Sequence, residues 1–331
     1  MKNFNGSVVV ASDSGKQDKV NLNDVKVGVS RSWGLKHLFG VSGIPIEHNI
    51  EIFGPPGVGK TSIANAMIVD AVANDPLGRP ALFIDVEKKY VREYAQQTGV
   101  DLDRLLLAKP EYGEEALEMY EEGVRNKLFS IIVLDSVGAL SMRAITEGKL
   151  TDNVIGVEAR VITRFVKRLA IFKQNSDTQL IFLNQLRSKI GVVFGSSETT
   201  PGGFAFEFMT SARLRVGRGK KIDYKGRQVG FFINVTAHKN SLGTPWLKTE
   251  IPLIYGKGIS PDIELLMTAK KYGVVVGTSS YKLVLTNKVV PLGSGMIRAS
   301  QKLRKYRKIV ERKLATHAEK EVAERSSFSD S

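Results

Sequence analysis

The 331-residue chain contains no cysteine. Disulfides, thiolate zinc sites and cysteine nucleophiles are therefore excluded. No run approaches the ~20 apolar residues of a membrane span. Up to Lys16 the apolar residues run together only over Val8, Val9, Val10 and Ala11, short of the roughly 7–15 of a secretory core. The expectation is a cytoplasmic protein with no membrane partner. Acidic groups are the scarcer sign. Asp and Glu number 34 against 48 Lys and Arg, leaving a net charge of +14. That excess favours polyanionic partners, either nucleic acid or an anionic membrane surface. A merely solubilising surface charge is the plainer reading, and composition alone does not remove it.

What is present is ordinary globular material. Hydrophobic residues make up 42% and charged residues 25%, so a sizeable core is expected. The length suits one large α/β domain with a smaller appendage. Strand-like runs at 49–53, 81–86, 105–108, 130–134 and 179–183 alternate with helical segments at 61–73, 90–97, 113–127 and 157–175. This predicts an α/β fold with a mixed, mainly parallel sheet covered on both faces. Such sheets carry their ligand chemistry at the carboxyl ends of the strands. Alternating runs at 212–216, 231–237 and 249–255 predict an antiparallel extension. Three units follow from the pattern. Residues 1–36 form a polar arm with short strands at 7–11 and 25–29. A short helix at 34–43 leads into a core over 37–259. Residues 260–331 form a small α/β C-terminal domain with a basic tail.

Gly54-Pro55-Pro56-Gly57-Val58-Gly59-Lys60-Thr61 is a complete P-loop between a strand and a helix, with Ser62 next in line. Glycines let backbone N–H groups converge on phosphate oxygens, and the following helix aims its positive end at them. This predicts ATP and Mg²⁺ as cofactors. Lys60 is expected on the β- and γ-phosphates, and Thr61 on the metal. Asp135 ends the strand Ile131-Ile132-Val133-Leu134 and is expected to be the Mg²⁺-linked carboxylate. Glu87, in Phe83-Ile84-Asp85-Val86-Glu87, lies where a carboxylate can orient and deprotonate a water for attack on the γ-phosphate. Asp85 competes with it, and strand position separates the two weakly.

The order of P-loop, Phe-Ile-Asp-Val-Glu, Ile-Val-Leu-Asp-Ser and Ile-Phe-Leu-Asn-Gln-Leu-Arg-Ser-Lys-Ile-Gly-Val-Val-Phe-Gly resembles bacterial and phage RecA recombinases, from about Val29 to Lys302. The resemblance implies a RecA-like P-loop NTPase core and a DNA-dependent ATPase. It implies helical filaments on single-stranded DNA that pair with homologous duplex in recombination and repair. Accessory single-strand-binding and loader proteins are implied partners. It favours Glu87 over Asp85 as the catalytic carboxylate and makes Gln185 a γ-phosphate sensor. Tyr94 and Tyr255 match aromatic residues around the adenine. Lys239 matches a lysine that reaches a neighbouring subunit's nucleotide. A second such lysine is replaced here by Ser241, which implies looser coupling of turnover to assembly.

Two segments resemble the family's DNA-binding loops, 147–156 and 187–201. The second offers Arg187 and Lys189 for phosphates and Phe194 for stacking or wedging, with Gly202 and Gly203 opening a helix start. In the helical segment 157–175, Arg160, Arg164 and Lys167 share one face. The resemblance places Arg160, Thr163 and Lys167 on the DNA backbone. The basic stretch 302–313 is expected to gather duplex DNA, where many RecA proteins have an acidic tail. Residues 1–36 show none of the amphipathic helix that opens bacterial RecA proteins. A ring helicase or other DNA motor on the same core is the alternative function, and a non-catalytic nucleotide-binding regulator is a third.

Overall fold

The computed structural model describes residues 25–40, 43–147, 156–174, 176–188 and 198–327. The expected strand at 7–11, most of the first DNA loop, and Lys189 and Phe194 lie outside the described residues.

Strands β1 (Asn49–Gly54), β2 (Ala81–Asp85), β3 (Leu105–Ala108), β4 (Ile131–Asp135) and β5 (Gln179–Gln185) are joined by β6 (Ala212–Tyr224), β7 (Arg227–Asn240), β8 (Lys248–Ile254) and β9 (Gly258–Ile259). They form one nine-stranded sheet in the order β9-β8-β7-β6-β1-β5-β4-β2-β3. The run from β6 to β3 is parallel, and β6 through β9 pair antiparallel. The sheet is therefore mixed and mainly parallel.

Alternate residues of the central strands feed two cores. Ile131, Val133, Ile181 and Leu183 pack on one face with helix α2 (Lys60–Asn74). Ile132, Leu134, Leu180 and Phe182 pack on the other, against α4 (Gly113–Arg125), α5 (Val157–Phe172) and α6 (Gly203–Met209). The side chains alternate because strand residues point to opposite faces, and both faces are apolar because both are covered. Between β2 and β3 lies the short helix α3 (Arg92–Gln97), which starts later than the sequence pattern suggests.

Ahead of the core, Val27–Gly28 pairs antiparallel with Ile44–Pro45. Helix α1 (Trp33–Phe39) is capped by Ser32, whose side chain accepts from Leu35 N, and is closed by Gly40 at φ 70°. After β9, α7 (Pro261–Lys271) opens a module containing β10 (Val275–Val276), β11 (Ser280–Val284), β12 (Val289–Ser294), α8 (Met296–Leu303) and α9 (Arg307–Ser327). Buried Glu264 in α7 accepts from Gly34 N at 2.6 Å and Ser32 Oγ at 2.8 Å, tying α1 to this module. Burial pushes its carboxyl up to about 7, with those two hydrogen bonds pulling it back.

The basic tail is more than a charged appendage. Leu303, Val310 and Leu314 are fully buried in the module's core. Arg304 and Arg307 both pair with Asp262, and Arg307 also with Glu311. Lys302, Lys305, Lys308 and Arg312 remain exposed. Removing everything from Lys302 on would therefore strip a core as well as charge.

Candidate active site and nucleic-acid interface

Strands β1, β5, β4 and β2 end side by side. In register, Gly54 faces Gln185 and Asp85 faces Asp135. The P-loop leaves β1 and enters α2 through Gly57 at φ 71° and Gly59 at φ 101°, left-handed values that glycine adopts without strain. A Cβ on Gly59 would sit 2.5 Å from the Ile233 side chain, so that glycine also permits close packing on β7. Pro55, Pro56 and Gly57 are exposed, and Val58 is buried beneath them. Lys60 Nζ donates to the carbonyls of Gly54 at 2.9 Å and Pro55 at 2.8 Å. Burial lowers its pKa, opposed by the charges of Asp135 and Glu87. A half-buried ammonium at the loop mouth suits a phosphate ligand.

Thr61 Oγ1 donates to Asp135 Oδ2 at 3.2 Å. Burial, then the charge of Glu87, pushes the Asp135 carboxyl up to about 6, against the Thr61 hydrogen bond and Lys60. A divalent cation would relieve that accumulation of negative charge. A hydroxyl beside one carboxylate is also the sparse oxygen set that Mg²⁺ accepts when phosphates and waters complete its shell. The residues present thus fit both a nucleotide and Mg²⁺.

The two carboxylates past β2 are separated by their partners. Asp85 is buried and accepts from the backbone N–H of Lys89 at 3.1 Å and Tyr90 at 2.9 Å, which holds the turn. Glu87 lies within that turn, with its own N–H and that of Val86 on the carbonyl of Asp135. Its Oε1 accepts from Ser136 Oγ at 2.7 Å and Gln185 Nε2 at 2.5 Å, and its Oε2 from Lys89 Nζ at 3.2 Å. Burial raises its carboxyl, but the hydrogen bonds from Ser136, Lys89 and Gln185 outweigh it and bring the pKa below the usual value. Glu87 is thus ionised at neutral pH. Ser136 was not singled out from the sequence. The signal was its place directly after Asp135 at a strand end.

Tyr94 reaches Ser62, oxygen to oxygen, at 2.7 Å. Tyr255, just past β8, is 47% exposed, and its hydroxyl accepts from Arg218 Nη2 at 2.9 Å and Gln228 Nε2 at 2.7 Å. The turn after it abuts the end of α3, where a Cβ on Gly258 would lie 2.8 Å from Thr98. Tyr94 therefore borders α2 directly, whereas the Tyr255 hydroxyl is held on the hairpin of β6 and β7. Lys239 is not brought to this site. It stands two strands away on β7, level through Arg213 with Glu51 of β1, and donates to the carbonyls of Glu207 at 2.9 Å and Phe208 at 3.2 Å at the end of α6.

On α5, Arg160, Thr163, Arg164 and Lys167 lie together with Ala159 on one open face of the helix. The Thr163 hydroxyl donates to Ala159 O at 2.7 Å, leaving its lone pairs outward. Arg168 points elsewhere, to Glu121 of α4 at 2.6 Å. The segment after Gln185 leaves through Arg187–Ser188, which pairs antiparallel with Glu198–Thr199. Gly202 and Gly203 then open α6 at φ 102° and 68°.

The sequence profile of the RecA N-terminal domain matches residues 2–260. The chain belongs to the RecA family. The RecA protein of Thermotoga neapolitana is 36% identical over 308 residues, 92% of this chain and 86% of that one. That of Thermotoga maritima is 37% identical over 301 residues, 90% and 82% of the two chains. A Staphylococcus aureus RecA is 40% identical over 232 residues, 70% and 66%. The chain is accordingly a RecA-type recombinase with a DNA-dependent ATPase, and the ring-helicase alternative falls away. Among the described residues no helix is long and apolar enough to cross a membrane.

Proposed function

We propose that this RecA-family chain binds ATP with Mg²⁺ at the P-loop and uses its turnover to control a helical filament on single-stranded DNA, in the cytoplasm of a bacterium or a phage-infected cell. The observation that carries the reading is the cluster of Glu87, Ser136 and Gln185. A water-orienting carboxylate there touches the very residue that leads into the segment before Gly202 and Gly203.

Lys60 and the backbone N–H groups of residues 57–61 would hold the phosphates. Thr61 and Asp135 would hold Mg²⁺, which, when bound, neutralises charge on the phosphate oxygens. Ionised Glu87 orients a water and takes its proton. Gln185, released from Glu87, is free to meet a γ-phosphate. Tyr94 and Tyr255 would flank the base. Lys239, remote from its own P-loop, suits a role on the neighbouring subunit's nucleotide. Arg160, Thr163 and Lys167, with Arg187 and the N–H groups at Gly202 and Gly203, would take the DNA backbone. The outer segment residues Lys189 and Phe194 would add charge and stacking.

The test is ATP hydrolysis with and without single-stranded DNA, together with strand exchange driven by ATP or by a slowly hydrolysed analogue. Hydrolysis should rise at least about tenfold with DNA, a coupling of ordinary allosteric size. Pairing should proceed with either nucleotide. Nucleotide binding without stimulation or pairing would overturn the reading in favour of a non-catalytic regulator.

A further inference from the structure

Glu51 stands in the middle of the central strand with its side chain at 0% exposure. Its neighbours in β1, Ile50 and Ile52, are core residues. A carboxylate in such a place destabilises unless both oxygens are engaged. Both are. Oε1 accepts from Asn184 Nδ2 at 2.8 Å, and Oε2 from Arg213 Nε at 2.5 Å. These partners come from β5 and β6, the two strands that flank β1.

Each partner reaches further. The Asn184 amide also donates to the carbonyl of Pro201 at 3.0 Å, and its oxygen accepts from the backbone N–H of Gln185 at 2.9 Å. Arg213 donates to Thr200 Oγ1 at 2.7 Å and lies 3.1 Å from Glu207 of α6. Its guanidinium carbon is 4.9 Å from the centre of the Phe53 ring. One buried carboxylate is thus a single residue away from Gln185, from Thr200 and Pro201, and from α6. An apolar side chain would hold the sheet at least as well, since buried ion pairs seldom add net stability. It could not fix three polar segments relative to one another.

We propose that Glu51, acting through Asn184 and Arg213, is a positioning residue that couples the placement of Gln185 at the nucleotide end to that of Thr200, Pro201 and α6 on the DNA-facing side. The proposal rests on the reading of Gln185 and its following segment given above. The strand end carrying Gln185 also carries Asn184. Any displacement of that end when nucleotide binds therefore acts on the Asn184 bonds to both Glu51 and Pro201, and through Glu51 on Arg213. Glu51, Asn184 and Arg213 are the inner part of the relay and bond only to one another and to neighbouring protein groups, while Thr200 and Pro201 are its outer arms, at the end of the segment expected to meet DNA.

Three variants test it: Glu51→Gln, Arg213→Lys and Thr200→Val. The last removes a single arm of the relay without leaving Glu51 unpaired, so it keeps the test open if Glu51→Gln does not fold. The readouts are hydrolysis without DNA, thermal unfolding, and oligo-dT affinity with a slowly hydrolysed ATP analogue against affinity with ADP. In Glu51→Gln and Thr200→Val, DNA-free kcat and KM should stay within about twofold, while the analogue-to-ADP affinity ratio falls roughly tenfold. Arg213→Lys keeps a charge beside Glu51 and should retain part of the ratio. A wild-type ratio in folded Thr200→Val would overturn the relay. So would a loss of DNA-free hydrolysis in step with thermal stability, which marks a merely structural role. A wild-type chain with equal affinities under both nucleotides would instead fail the parent reading.

Discussion

The nucleotide end of the sheet and the basic face of α5 are built on opposite plans. At the sheet end, Lys60, Thr61, Glu87, Asp135 and Gln185 are partly buried and each is held by a hydrogen bond: Lys60 to the Gly54 carbonyl, Thr61 to Asp135, and Gln185 to Glu87. The pKa values of Lys60, Glu87 and Asp135 are displaced because burial, hydrogen bonds and close charges act on them together. On α5, Arg160, Arg164 and Lys167 are exposed cations along one open helix face. The first region is preorganised for one geometry. The second supplies charge along a line and leaves its geometry to whatever it binds. Bond-making chemistry needs the former, since a displaced group loses its effect. Backbone recognition needs little more than the latter, because phosphates repeat along the strand.

The largest effect that would break this comparison is at Glu87. Glu87→Gln should lower kcat by about 10²–10⁴-fold with ATP and DNA binding retained. Single-turnover hydrolysis and filter binding check it, and normal turnover would remove Glu87 as the base. A smaller and differently shaped loss is expected on α5. The Arg160→Ala/Lys167→Ala double variant should weaken single-strand binding on all sequences alike. The slope of log affinity against log salt should flatten by about 1.4, two contacts at ~0.7 each. DNA-free hydrolysis should not change. A slope equal to wild type would make this face a solvated surface. The smallest effect belongs to the C-terminal helices. Lys305→Ala or Lys308→Ala, each alone, should flatten the salt slope for duplex DNA by about 0.9, one contact's worth. Thermal stability should be kept, since neither side chain enters the core. Truncation at Lys302 is the wrong instrument for that question, because each lost core leucine costs about 2–5 kcal/mol.

Much of the fold was legible because apolar patterning and backbone geometry are local. The strands that end at Gly54, Asp85, Asp135 and Gln185 were foreseen to within about two residues, and the antiparallel extension was foreseen in kind. The hairpin of β6 and β7 was underestimated. Its outer half, through Arg218, Lys220 and Lys221, carries no alternating apolar signal, yet the backbone pairing continues to Tyr224 and Arg227 across register shifts. Hydrogen bonding sustains those strands where side-chain burial does not. The tail was legible as basic and helical. That Leu303, Val310 and Leu314 sit at core spacing within it became clear only against α7.

The sequence by itself determined the phosphate loop, because its glycines, lysine and threonine act through local backbone geometry. It also determined the family, through motifs in a fixed order. Tertiary structure alone decided three matters. It assigned Asp85 to a turn and Glu87 to the cluster with Gln185, two carboxylates that share a strand face and differ only in what lies opposite. It put Lys239 two strands from β1, bonded to the end of α6 and not to its own P-loop. And it turned Glu51, one acid in an apolar strand, into the meeting point of three segments. Each of these depends on strands that are neighbours in the sheet and distant in the chain, and a linear pattern holds no record of that adjacency.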